Sequence, residues 1–389
     1  MEWISSYGRP ICIYGWTVSV ARVEKLWLRG PGGNYFLDID VQTPFFLYVS
    51  KNTISALGVY ELLLVDVSGA QSAGQIHIIE NSDYDISILQ PKNVDTPYTI
   101  VFLLNGALSF EDGSISADEI LLKRDWFYSL VANCLYSLFC AEEDILRGEK
   151  ILPSLAVTII ERDIDESCRF VECTSPNIAR PNRHVVREHL QRLKVSADVV
   201  FVIHAALDHT RASATFSIDD YSAVKEFTYS GVKKVFGKFT RVPGMATIGY
   251  YDYDTSNTPL HEFGHAASEE DNGRVTDLYH DIKVNSFDVN KRKRNQGGIP
   301  ALFCKYNGAN FKSDLNRDSL GYGTWKTFHP EPVDGSVPNL MDDYWLSKTS
   351  PFCCRFDVVT QQWLKDRLEF KCDRKENEPN PPEGLESLS

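Results

Sequence analysis

His261-Glu262-Phe263-Gly264-His265 puts two imidazoles and a carboxylate within five residues. On a helix, positions i and i+4 share a face, so both rings can reach one metal ion. Glu262 stands one position along, where its carboxylate can take a proton from a water held by that ion. Zinc lowers the pKa of such a water to about 7, so the trio suits metal-assisted hydrolysis with Glu262 as general base. The bland alternative is a surface helix carrying two solvated histidines. Two histidines also leave a catalytic zinc short of its usual three protein ligands.

The flanking residues supply a frame for that helix. Thr255-Ser256-Asn257-Thr258-Pro259 offers N-cap candidates and a proline suited to a first turn. Asn272-Gly273 is a stop signal, which predicts a helix of about three turns. Residues 246–251 read as a short strand feeding it, an arrangement that presents a substrate backbone to the metal.

Further out, two patterns divide the chain. Up to about residue 90, four segments read as strands: residues 11–18, 35–41, 60–67 and 75–79. Arg29-Gly30-Pro31-Gly32-Gly33-Asn34 is a turn. Strand spacing of this kind indicates a β-sandwich and resembles the immunoglobulin-like modules of bacterial extracellular enzymes. From Pro97 the pattern is mixed α/β, with strands at 99–104, 155–160 and 199–203 and helices at 117–142 and 184–193. A further helix is expected at 223–236, an irregular insertion at 281–334, and a helix at 356–370. The acidic, proline-containing end is expected to be disordered.

The order strand, helix, two strands, edge strand, H-E-x-x-H helix resembles the metzincin clan of zinc peptidases. That clan continues its motif as H-E-x-x-H-x-x-G-x-x-H, or with Asp last in a few families. Asp271 falls where the last ligand falls, while Ser268 replaces the glycine that lets the clan's chain turn sharply. A helix continuing to Asn272 would rotate Asp271 away from the metal, leaving Asp277 beyond the Asn272-Gly273 turn as the alternative ligand. Glu269, Glu270 and His280 come after these two. Met341 in Pro338-Asn339-Leu340-Met341-Asp342-Asp343-Tyr344-Trp345 matches the clan's methionine turn. Tyr344 would then be placed to stabilise an oxyanion.

The resemblance implies an α+β chain: an N-terminal all-β sandwich over residues 1–95, then a metzincin-like α/β zinc-peptidase domain over 96–372. A disordered acidic tail follows over 373–389. It implies a Zn2+ cofactor held by His261, His265 and Asp271 or Asp277. Protein or peptide substrates are expected, cut by an endopeptidase rather than an exopeptidase. A zinc hydrolase of a non-peptide amide or ester, and a catalytically silent binding protein, are the rivals.

Composition narrows the partners. A net charge of −13 over 389 residues disfavours nucleic acid, because phosphate binding needs a basic surface. The basic run Lys291-Arg292-Lys293-Arg294 reads as a solvated loop. No stretch is apolar enough to span a bilayer. The first residues show no secretory signal, so the protein is cytoplasmic as written, or secreted if a leader has been removed. Nine cysteines leave at least one unpaired. Cys168 with Cys173, or Cys353 or Cys354 with Cys372, could bridge under oxidising conditions, but reduced thiols are expected.

Overall fold

The structure is a computed structural model that describes residues 2–6, 11–15, 23–31, 33–41, 45–49, 56–66, 69–79, 86–89, 97–140, 145–148, 150–174, 177–215, 218–220, 225–229, 232–236, 240–252, 257–267, 270–271, 274–275, 281–283, 311–317, 324–330, 356 and 358–377.

The chain opens with β1 (Glu2–Ser6), β2 (Ile11–Gly15), β3 (Val23–Gly30), β4 (Gly33–Val41), β5 (Phe45–Val49), β6 (Gly58–Asp66), β7 (Gly69–Ile79) and β8 (Ile86–Leu89). β3, β4, β6 and β7 form an antiparallel ladder, with Gly30 opposite Gly33 across the expected turn. Leu28, Tyr60, Leu62, Leu63 and Ile76 are among its buried side chains. The central part follows: β9 (Tyr98–Leu104), β10 (Ala107–Phe110), β11 (Ile115–Ala117), α1 (Glu119–Leu122), α2 (Arg124–Cys140) and β12 (Leu155–Ile160). Then come β13 (Val171–Thr174), β14 (Ile178–Pro181), α3 (Arg183–Leu193), β15 (Val199–His204) and β16 (Ala214–Thr215).

Strands β9, β12 and β15 are almost uninterrupted runs of Val, Ile, Leu and Phe, as a strand covered on both faces requires. They pair in parallel, and β21 (Gly244–Gly249) joins β15 in the same sense, giving the order β12-β9-β15-β21. Alternate residues serve opposite faces. Ile100, Phe102, Leu104, Phe201, Ile203 and Ile248 meet α2, α4 (Thr258–Ala266) and α5 (Val358–Asn377) in one core. Val101, Leu103, Val200, Val202 and Met245 meet α3 and the small sheet β11-β10-β13-β14 in the other.

The same sheet runs on from β12 through β8, β1, β7, β6, β3 and β4. The molecule is thus mixed α+β, with an antiparallel sheet near the N-terminus and a mixed α/β sheet beyond it.

Several local expectations change. Where a helix is expected over 223–236, the described residues form two paired strands. β17 (Ile218–Asp220) pairs with β20 (Thr240–Val242), and between them β18 (Lys225–Tyr229) pairs with β19 (Val232–Phe236). Phe227, Thr228, Tyr229, Val232, Val235 and Phe236 are residues that favour a pleated surface, and that preference outweighs the weak helical spacing. The stretch expected to be irregular contains the three-stranded antiparallel sheet of β24 (Asp281–Lys283), β25 (Phe311–Arg317) and β26 (Thr324–Pro330). The helix expected over 117–142 starts at the Asp118 cap and breaks at Lys123, whose φ of −103° and ψ of 64° are not helical. α5 reaches Asn377, past the start expected for the tail.

The strand before the motif helix is also not the edge. β21 lies inside the sheet, and β16 pairs with it antiparallel at Ala246 and Met245 as the outermost strand. Among the described residues Cys134, Cys168 and Cys173 are free, buried thiols, and Cys372 is buried as well. No described helix is long and apolar enough to cross a membrane.

Candidate metal centre

α4 begins after a buried Asn257, with Pro259 in its first turn, and ends at Ala266. It is shorter than the Asn272-Gly273 signal suggests. That dipeptide instead separates the paired strands β22 (Glu270–Asp271) and β23 (Arg274–Val275), and Asn-Gly is a strong hairpin signal. The helix lies close on the start of β21. A Cβ at Gly244 would come within 1.7 Å of the Ala266 carbonyl oxygen, so only glycine permits this approach.

Leu260, Phe263, Ala266 and Ala267 join the core. At about 100° per residue, His261 and His265 lie roughly opposite that face. Their ring centroids are 4.9 Å apart and nearly perpendicular. His261 is 4% exposed and Glu262 6%, while His265 is half-buried. The solvated surface helix is therefore overturned: these side chains are sequestered, yet the two imidazoles point away from the apolar core.

Two imidazole donors one turn apart, with a carboxylate beside them, fit zinc as far as they go. Among the described residues no group of three or more His, Cys, Asp or Glu side chains is gathered to hold a metal. Asp271 is placed by its backbone in β22, five residues after the helix ends. Glu270 precedes it in the same strand. Asp277, Glu269, His280, Met341 and Tyr344 lie outside the described residues.

A second polar cluster, absent from the sequence reading, sits at the carboxyl ends of β9 and β15. Asn105 donates from Nδ2 to Asp118 Oδ2 at 2.8 Å and accepts from the Phe170 amide at 3.0 Å. Asp118 Oδ1 also accepts from the amides of Ile120 and Ala205, at 3.1 and 3.0 Å. Burial raises the Asp118 pKa against the lowering effect of these donors. His204 is wholly buried, and its Nδ1 accepts from the Ala206 amide at 3.2 Å. Burial pushes its pKa down to about 3, with His209 adding to the effect, so the ring is neutral. The signals were present but scattered: an Asn-Gly at a strand end, an N-cap Asp, and a lone polar residue closing an apolar strand.

A scan of protein-family models gives no match to this chain. A search of curated proteins gives none either. Among solved structures, the crystal structure of a metallo-carboxypeptidase from Burkholderia cenocepacia aligns with 95% of this chain and 81% of its own, at 11% identity and a TM-score of 0.19. That score is too low to establish a shared fold.

Proposed function

We propose that the chain is a zinc-dependent peptidase of metzincin type. The observation that carries this is the placing of His261, Glu262 and His265 on one sequestered helix, with both imidazoles turned from the core. His261 and His265 would hold the ion with Asp271 or Asp277. The end of α4 at Ala266 favours Asp271, since the continuous helix that would have carried it away is not formed. When bound, zinc supplies a Lewis acid and an acidified water. Glu262 takes the proton at its carboxylate and later delivers it to the leaving amine. The outer edge of β16, against which α4 packs, would pair with an extended peptide and orient its carbonyl. The strands of residues 1–95 would serve as a β-sandwich module carried by the peptidase. Limited proteolysis of the full chain tests that: a first cut between Gln90 and Pro97 supports a separate module, and resistance there opposes it.

Glu262→Gln is the decisive variant. It should retain about one zinc per chain and lose turnover by roughly a thousandfold in a peptide-library cleavage assay. Wild-type turnover in that variant would remove Glu262 from the chemistry.

One observation favours a rival. His261 and Glu262 are nearly inaccessible, which also suits a closed structural site in a binding protein. Visible spectra of the cobalt-substituted protein separate the two, because a fourth protein ligand would leave the spectrum unmoved by small anions.

A further inference from the structure

Building on the metal-site reading, we infer that Trp126 is a positioning residue for the motif helix. Trp126 stands near the start of α2, and Tyr250 and Tyr251 directly follow β21 on the way to α4. The Trp126 and Tyr250 rings stack at 4.1 Å with an interplanar angle of 2°. Lys123 Nζ lies 3.7 Å from the Trp126 ring centroid. Tyr251 meets Trp126 and Tyr250 edge-on at 5.9 and 5.4 Å. Glu119 closes the ring of contacts, bonding Lys123 at 2.9 Å and the Tyr251 hydroxyl at 3.5 Å.

This cluster pins the exit of β21 to α1 and α2. The Asp252 amide donates to the Gly249 carbonyl, and the Tyr250 amide to that of His204, so the turn is fixed at its backbone as well. The need for such a fixing follows from α4 itself. Nine residues make too short a helix to hold its own orientation, so its ends must be tied. Gly244 against Ala266 ties the far end. α2 itself packs on α4, so the aromatic stack, by fixing α2 to the exit of β21, ties the helix from its other side. Loosening it would let α4 rock and would spoil the registry of its two imidazoles toward a shared ion.

The test is zinc affinity of the full chain, measured by competition with a chelator at a temperature where every variant is folded. Trp126→Ala should weaken zinc binding roughly tenfold, as loss of a supporting contact does, and Trp126→Phe should recover most of it. Hydrogen exchange of the α4 amides should quicken in the alanine variant without metal. Tyr250→Leu, which keeps apolar bulk but loses the stack, should follow Trp126→Ala if that protein does not fold. Leu122→Ala, a change at an exposed neighbour outside the stack, should bind like the wild type. Unchanged affinity and exchange in the alanine and leucine variants would overturn the inference while leaving the metal site standing. Absence of zinc binding in the wild type would overturn both.

Discussion

The motif helix and the Asn105–Asp118–His204 cluster are both polar groups taken out of water, but they are built in opposite ways. The cluster draws its parts from four separate stretches, around residues 105, 118, 170 and 205, and its bonds join strand ends to a helix cap. The motif takes its three side chains from five consecutive residues of one helix. The first arrangement spends polar groups on holding segments together. The second gathers them on a face turned from the core, where they can serve an ion. Burial alone therefore does not mark a site; how the buried groups are gathered does.

Exchanging the two losses would break that contrast most sharply. His261→Ala should lower zinc affinity by about a hundredfold or more while costing less stability than any change at Asp118. Asp118→Ala should cost about 3 kcal/mol or more, because it strands the donors of Asn105, Ile120 and Ala205. Its folded fraction should still bind zinc normally. Urea unfolding and metal titration of both variants check the pair, and a metal defect in the Asp118 variant would merge the two regions.

Gly244→Ala comes next. The new methyl collides with the Ala266 carbonyl, so a loss of about 2 kcal/mol is expected, together with weaker zinc binding. Stability unchanged by calorimetry would mean that α4 can slide freely.

Acid should separate the regions more gently. His204 and His189 have pKa values lowered by burial to about 3 and about 4, from an ordinary 6.5. Between those values the unfolded chain binds protons that the folded chain does not. Stability from these two is thus full above pH 6.5 and falls with pH, by roughly 1 kcal/mol per unit for each histidine. Asp118, with its raised pKa, acts in the opposite sense and offsets part of the loss. Unfolding midpoints between pH 7.5 and pH 5 give the slope, and His189→Phe should flatten it. The smallest effect belongs to Leu122→Ala, 84% exposed, which should change stability by less than about 0.5 kcal/mol.

What the sequence disclosed follows the same division. The buried parallel strands were legible because runs such as residues 100–104 carry no polar residue that could face water. The motif was legible because its spacing is local. The helix's early end was not, since Asn-Gly signals a helix stop and a hairpin equally, and only pairing between Asp271 and Arg274 decides. The pairing of β18 with β19 was missed for a similar reason, its preference being expressed through partners. The identity of the edge strand depended on β16, two residues too short to announce themselves.

β1 occupies an interior place in the sheet, flanked by β7 and β8. The strand that leaves the ribosome before all the others described here therefore waits for residues as far along as Leu89 before both its edges are met. Until then it presents an open edge to neighbouring nascent chains. Synthesis slowed over residues 7–85 should raise aggregation more than an equal delay later in the chain.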